Sequence, residues 1–79
     1  MTDEAAQTAI SRNVARLRAK QKLSFAEAGR RAQTSAGAIR DIEKNGRMPG
    51  AGLITRLAEA FGVSIAELFK TSRKSQKSA

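Results

Sequence analysis

The chain has 79 residues, enough for one domain with a thin core and too few for a catalytic cleft with its supporting side chains. It contains no cysteine and no histidine, so disulfides, thiolate metal sites and the commonest general base are excluded. The formal net charge of +8 is typical of proteins that bind nucleic acid or another anionic surface. We therefore expect no enzymatic activity, no cofactor and no metal.

The ends of the chain also limit the class of protein. The first residues are acidic and lack the apolar stretch of a signal peptide, and no apolar run approaches the roughly 20 residues of a membrane span. We expect a cytoplasmic protein. The sequence has three phenylalanines and no tyrosine or tryptophan, which argues against binding single strands by base stacking.

The first two predicted helices are separated by a capping signal. Apolar residues recur at three- and four-residue spacings, which predicts helices rather than strands. Three of them form one face of the first helix: Ile10, Val14 and Leu17. Ser24 followed by Glu27 is a capping box, so a second helix is expected over about 25–32.

Three further helices follow from similar signals. Ser35 is a suitable cap for a third helix that ends near Lys44, because Asn45–Gly46 tolerates a left-handed backbone. A fourth helix is expected over about 51–61. A second capping box, beginning at Ser64, predicts a short fifth helix.

The two ends of the chain are predicted to be too polar to pack against a hydrophobic core. Residues 1–7 are acidic, and residues 70–79 are basic with no apolar residue except a terminal alanine. We expect both segments to be disordered, which leaves residues 8–69 as the folded domain.

Gly29 lies in the middle of the second predicted helix, followed by Ile39 and Ile42 at ten and thirteen residues. A helical glycine costs about 1 kcal/mol relative to alanine, so a structural reason is expected. In a helix-turn-helix the two helices cross closely, which requires a very small residue at the crossing. The alternative is that Gly29 is incidental.

The joint order and spacing of these residues resembles the Cro/repressor type of helix-turn-helix domain, also called the xenobiotic-response-element family. The resemblance covers residues 10–69. The matching residues are Ile10, Val14, Leu17, Arg18, Leu23, Ser24, Ala26, Glu27, Ile39, Ile42, Glu43, Gly46, Pro49, Leu53, Leu57, Ala58, Phe61, Val63, Ser64, Leu68 and Phe69. It implies an all-α, compact five-helix, lambda-repressor-like domain whose ligand is double-stranded DNA.

The sequence departs from the family at several positions. Gln33 stands where the turn usually has glycine, so it must adopt a left-handed conformation or the turn must differ. Phe25 replaces a frequent glutamine that, in the family, supports a phosphate contact and a recognition residue. Gly50 replaces a frequent serine cap on the fourth helix. Ala28 and Gly29 replace bulkier residues, which suggests a tighter crossing.

In this family the third helix faces base edges in the major groove. Its outward side carries the candidate base-reading residues Ser35, Ala36, Gly37, Arg40 and Asp41. Arg40 is the long donor suited to guanine, unless it binds a phosphate instead. Asp41 could accept from a cytosine amine or orient a neighbouring arginine. Ser35 could instead be used as the helix cap.

A second set of residues is expected to contact DNA phosphates or, alternatively, only water. These are Arg12, Arg16, Thr34, Lys44, Asn45 and Arg47. The family resemblance also implies a structural ion pair between Arg18 and Glu43, which would fix the third helix to the first.

The sequence therefore predicts a sequence-specific transcriptional regulator, a repressor or Cro-like switch, that binds a palindromic operator as a homodimer. Candidate dimer contacts, some of which must fill the core instead, are Val63, Ile65, Leu68 and Phe69. Two alternatives stay open: an antitoxin-type regulator that also binds a toxin protein, and a non-specific architectural DNA binder.

Overall fold

The computed structural model describes residues 2–71, and in this range the chain forms helices and no strands. The helices are α1 (Asp3–Lys20), α2 (Phe25–Arg31), α3 (Ala36–Lys44), α4 (Ala51–Phe61) and α5 (Ile65–Leu68). The predicted all-α class with five helices is confirmed. The starts of α2, α3 and α5 agree with the capping signals, because serine side chains at 24, 35 and 64 accept the backbone N–H groups that the signals predict, whereas α4 begins after Gly50 without a side-chain cap.

The first helix begins earlier than predicted. Disorder over residues 1–7 is wrong for residues 3–7, which are helical. Thr2 is the N-cap, and its Oγ1 accepts from the backbone N–H of Ala5 at 3.0 Å. Asp3 and Glu4 place negative charge in the first turn, where it interacts favourably with the helix dipole. Residues 72–79 of the predicted basic tail, and Met1, lie outside the described residues.

The core is formed where four of the helices meet. The largest fully buried side chains come from α1, α3, α4 and α5: Ile10, Val14, Ile39, Ile42, Leu57 and Leu68. Full burial of one such aliphatic side chain stabilises the fold by about 1.5–3 kcal/mol. The buried side chains that α2 and its C-cap residue add are small, Ala28 and Ala32, and this lets α2 lie close to α3, while Phe25 at the start of α2 is partly buried against the core.

Two polar side chains close helix ends that belong to other elements. Gln21, just after α1, donates from Nε2 to the carbonyl of Phe61 at 2.9 Å, at the end of α4. Arg56 on α4 donates from Nε to the carbonyl of Ala32 at 2.9 Å, at the end of α2. The last carbonyls of a helix have no hydrogen-bond partner within that helix, so these two bonds supply partners that the carbonyls would otherwise lack.

Asn13 is the buried polar residue of α1, with 4% of its surface exposed. Its Nδ2 donates to the carbonyls of Leu68 and Lys70, each at 2.8 Å, and its Oδ1 accepts from Nη2 of Arg16 at 3.2 Å. This one amide fixes α5 against α1 and sets where the chain leaves the helical domain.

Candidate nucleic-acid interface

The crossing of α2 and α3 leaves no room for a side chain at Gly29. A Cβ built there would lie 2.8 Å from the carbonyl carbon of Ser35 and 2.9 Å from the carbonyl oxygen of Thr34. The carbonyl of Gly29 also accepts from the backbone N–H of Thr34 at 2.7 Å. The glycine is therefore required by close backbone approach, which is the reason that the sequence suggested.

The turn between α2 and α3 contains a left-handed residue. Gln33 has φ 59°, so it adopts the left-handed conformation that glycine usually supplies at this position of the turn. A non-glycine residue in this region is uncommon and costs free energy. The conformation turns the chain so that Ser35 begins α3, where its Oγ accepts from the backbone N–H of Ala38 at 3.0 Å. Ser35 is thus used as the cap, while its hydroxyl hydrogen remains able to donate.

The outward side of α3 is polar and small. Ile39 and Ile42 are fully buried beneath it, whereas Gly37, Arg40 and Lys44 are exposed. These exposed positions lie on the side of the helix opposite the two isoleucines. Arg40 is the long side chain of this surface near its middle.

Asp41 holds the loop that follows α3. Its Oδ1 accepts from Nδ2 of Asn45 at 2.8 Å, and its Oδ2 lies 3.8 Å from Nη1 of Arg47. Its backbone carbonyl accepts from the N–H groups of Asn45 and Arg47 at 3.0 and 3.1 Å. Of the two roles considered for Asp41, the structure shows contact with an arginine, and that arginine is Arg47.

Arg18 and Glu43 form an ion pair that joins α1 to the end of α3. Nε of Arg18 lies 2.6 Å from Oε2, and Nη2 lies 3.0 Å from Oε1. Nη1 also donates to the carbonyl of Leu23 at 2.9 Å, and the guanidinium lies over the ring of Phe25, 4.2 Å from its centroid. The side chain of Glu43 is only 2% exposed. The hydrogen bonds to Glu43 raise the pKa of Arg18.

Two residues of α1 that the sequence analysis did not single out also support this end of α3. Ser11 donates from Oγ to the carbonyl of Glu43 at 3.0 Å. Gln7 packs on Gly46, where a Cβ would lie 2.8 Å from Nε2 of the glutamine. Gln7 and Ser11 share a face of α1 with Arg18. Their helical spacing from Arg18, which was predicted to pair with Glu43, could have indicated that they also face the end of α3.

The structure does not bring Arg12 and Arg16 together with α3. They lie on the side of α1 that faces α5, where Arg12 lines an open groove of about 600 Å³ with Lys70. Arg16 contacts Asn13 on the same side. The other four predicted phosphate contacts surround α3: Thr34 in the turn before it, Lys44 in its last turn, and Asn45 and Arg47 in the loop after it.

The four predicted dimer residues differ in exposure. Leu68 is fully buried in the core, so its assignment to the dimer surface is wrong: α5 packs this side chain between α1 and α4. Val63 and Phe69 are partly buried against the same core. Ile65 is 45% exposed and remains available for contact.

Helices α2 and α3 cross closely at Gly29, and one face of α3 is exposed. This arrangement defines a helix-turn-helix domain. The family model described as helix-turn-helix, of the Cro/C1 type, matches residues 14–68. The chain therefore belongs to this family of DNA-binding regulatory domains, a family that is not enzymatic. No curated protein and no solved structure matches the chain. Among the described residues, none of the helices has the length and apolar character to cross a membrane.

Proposed function

We propose that the chain is a sequence-specific transcriptional repressor or Cro-like switch of the xenobiotic-response-element type. It binds a palindromic operator as a homodimer, and we expect it to act in the cytoplasm. The observation that carries the proposal is the exposed face of α3, where Arg40 follows the small residues Ala36 and Gly37. A protein that occupies an operator in this way excludes other proteins from the same DNA.

The small residues and Arg40 have different roles on this face. Ala36 and Gly37 have no hydrogen-bonding side chains, so they let the backbone of α3 approach the bases, and Ala36 offers a methyl group to thymine. Arg40 has a planar group with two parallel donors, which matches the N7 and O6 acceptors of guanine. Arg40 is therefore proposed as the main base reader.

The proposed phosphate contacts lie around this face. Thr34 precedes α3, Lys44 ends it, and Asn45 and Arg47 follow in the loop. In DNA complexes such contacts fix register and orientation, while base contacts specify sequence. The Arg18–Glu43 pair supports the proposal because it fixes α3 to the scaffold between these flanking contacts.

Homodimerisation is proposed because one α3 reads only a few base pairs. Two copies related by a two-fold axis read two half-sites about 34 Å apart, and such a site is palindromic. The surface proposed for the contact is formed by Ile65, with Val63 and Phe69 beside it.

The test is selection of bound sites from a random pool of duplex DNA, combined with the mass of the protein in solution. The proposal expects a near-palindrome with a guanine at one symmetric position of each half-site, and a dimer at the concentration that binds it. Recovery of sites without a common sequence would overturn the proposal in favour of a non-specific architectural binder.

A further inference from the structure

The first half of α1 contacts the end of α3 and the loop that follows it. The amide of Gln7 packs on Gly46, where a Cβ would lie 2.8 Å from Nε2 and 3.6 Å from Cδ of the glutamine. Oγ of Ser11 donates to the carbonyl of Glu43 at 3.0 Å. Both α1 residues precede residue 14, where the match to the helix-turn-helix family model begins. One partner of each contact therefore lies outside the matched part of the chain.

Gly46 is the residue of this loop that most needs an external contact. It has φ 67°, in the left-handed region, and glycine has more backbone freedom than any other residue. On either side of it, the backbone N–H groups of Asn45 and Arg47 donate to the carbonyl of Asp41. The side chain of Gln7 fills the space beside the glycine, so it limits the movement of the loop between those two bonds.

Ser11 fixes the backbone at the end of α3. The last carbonyls of a helix have no hydrogen-bond partner within that helix, and Ser11 supplies one to Glu43. The side chain of Glu43 is bonded to Arg18, so both its backbone and its carboxylate are held by α1. The end of α3 is therefore attached to α1 at the point where the loop begins.

Gln7 and Ser11 lie beneath the loop rather than on its outer surface. Both residues are half-buried, whereas Lys44, Asn45 and Arg47 are exposed. The three exposed residues are proposed phosphate contacts, and Asn45 and Arg47 belong to the loop itself. Half-buried residues that contact the loop from within can set its position without contacting DNA.

We propose that Gln7 and Ser11 are positioning residues, which hold the loop after α3 in the arrangement that presents Asn45 and Arg47 to DNA phosphates. This inference rests on the proposed function, because those phosphate contacts are part of it. Phosphate contacts set register and orientation, whereas base contacts specify sequence. Gln7 and Ser11 therefore govern the affinity for all duplexes and leave the preferred operator unchanged.

A loop that lacks this support still reaches the phosphate, but it must be ordered when DNA binds. Fixing the backbone of one residue costs enough free energy to reduce affinity by roughly 5- to 30-fold. The slope of log K against log salt should not change, because the number of neutralised phosphates is the same. Arg47→Gln removes the charge itself, so its slope should be shallower by about 0.9 per protomer. Salt dependence thus separates a loss of positioning from a loss of contact.

The experiment compares the full chain with Gln7→Ala, Gln7→Met, Ser11→Ala and Thr8→Ala. Gln7→Met keeps a side chain of similar length without the amide. Thr8→Ala is the matched control, because Thr8 is exposed on α1 and lines the groove on the side of this helix away from α3. Hydrogen exchange without DNA measures the protection of the Asn45 and Arg47 backbone amides. Affinity for the selected operator and for a random duplex is measured at a temperature where melts show every variant to be folded.

Gln7→Ala and Ser11→Ala should speed exchange of both amides and weaken operator and random binding by similar factors, with the salt slope and preferred sequence unchanged. Gln7→Met and Thr8→Ala should behave like the unmodified chain. Exchange and binding in Gln7→Ala and Ser11→Ala equal to those of Thr8→Ala would overturn the proposal.

Weak binding by Gln7→Met with normal exchange would also overturn the positioning role, because the amide of Gln7 would then contact DNA directly. Lack of any preferred operator in the unmodified chain would overturn the proposed function instead. The exchange rates, which need no DNA, still decide whether Gln7 and Ser11 hold the loop.

Discussion

The carboxylate of Glu43 is enclosed by the domain and depends on Arg18 for its partner. The guanidinium of Arg18 contacts α3 through this carboxylate, the chain before α2 through the Leu23 carbonyl, and α2 itself through the ring of Phe25. One side chain thus joins three elements. Removing one member of a buried pair leaves an uncompensated charge, which costs more than the pair contributes.

Arg18→Ala should therefore lower the free energy of unfolding by about 3–5 kcal/mol. Chemical denaturation of Arg18→Ala, Glu43→Ala and the double variant gives the coupling between the two residues. The double variant should be less destabilised than the sum of the single variants, because neither charge is then left alone. Strictly additive losses would show that the pair makes no energetic contribution.

At Arg40 the expected effect is on base discrimination rather than on folding. A bidentate contact to guanine provides about 1–3 kcal/mol of discrimination against the wrong base. Arg40→Ala should flatten the sequence preference at one position of each half-site and leave other positions nearly unchanged.

The control for Arg40 is Lys44→Ala, one turn further along α3 at a proposed phosphate contact. This variant should weaken binding to all sequences by a similar factor. Site selection with both variants separates the two roles. If Arg40→Ala weakens all sequences alike, then Arg40 binds the backbone and another residue reads the bases.

Between elements, the spacing of α2 and α3 depends on the missing side chain at Gly29. Any Cβ there would overlap the backbone of Thr34 and Ser35, which cannot move without moving α3. Gly37, in the first turn of α3, has only the Oγ of Ser35 near it, at 3.9 Å. Two glycines in the same helix pair thus have opposite surroundings.

Gly29→Ala should destabilise the domain by about 1–3 kcal/mol through overpacking, although alanine is the better helix former. Gly37→Ala should stabilise it by about 0.5–1 kcal/mol, because helix propensity improves without a clash. Thermal or chemical unfolding of the two variants measures both changes. Stabilisation by both substitutions would mean that α2 and α3 separate at little cost.

The capping box of α2 makes part of the stability of the domain dependent on pH. The backbone N–H of Ser24 donates to Oε1 of Glu27 at 2.8 Å, and the hydrogen bonds from Ser24 lower the pKa of Glu27 below its ordinary 4.5. The folded state therefore binds a proton less readily than the unfolded state. The resulting stability is present above pH 4.5 and is lost as the pH falls through the lower, folded value.

Glu27→Gln keeps an acceptor oxygen but does not titrate, so its melting temperature should fall less between pH 7 and pH 3 than that of the unmodified chain. Glu59→Gln, which removes an exposed carboxylate outside any capping box, is the control. Equal acid sensitivity in Glu27→Gln and Glu59→Gln would argue against a role for the capping box.

Elements defined by local signals were predictable from sequence, and contacts between elements mostly were not. Serine caps act within three residues, so the starts of α2, α3 and α5 could be located before the fold was known. The amides of Asn13 and Gln21 bind helix ends 40 or more residues away. Their acceptors come near only after packing, so no local pattern indicates these roles.

Two predictions were wrong, the disorder of residues 3–7 and the dimer contact of Leu68, and both relied on residue type alone. The prediction of disorder for residues 3–7 rests on their acidity and polarity, but Thr2 caps the helix and the acidic residues Asp3 and Glu4 interact favourably with the dipole of its first turn. Leu68 was judged by its apolar character, which does not distinguish a core side chain from a dimer contact. Arg18 and Glu43 could be paired because the family resemblance covers both.

For the whole molecule, the charge of +8 and the few exposed apolar residues limit where two copies can meet. The exposed large apolar side chains of the described residues are Met48, at 43%, and Ile65, at 45%. Met48 lies in the loop beside α3, next to Arg47 and Pro49. Ile65 lies on α5, away from that loop. A dimer formed through Ile65 therefore leaves the exposed face of α3 uncovered in both copies.

Ile65→Lys should therefore convert the proposed dimer to a monomer of 8.5 kDa while the domain stays folded, because charge is placed in the proposed contact. Met48→Lys adds the same charge at the other exposed apolar position and should leave the mass at twice that value. Sedimentation equilibrium without DNA measures both. A dimer that survives Ile65→Lys and dissociates in Met48→Lys would move the interface to the α3 loop.

The bond from Asn13 to the carbonyl of Lys70 bears on how the protein can be labelled. Asn13 and Ser11 are two residues apart on α1, about 200° around a helix, so they face opposite directions. Ser11 and Gln7 face the end of α3, whereas Asn13 directs the chain at residue 70 to the other side. A fluorophore or surface tether attached at Thr71 would therefore leave the face of α3 open, while one attached at Gln7 would press on its loop.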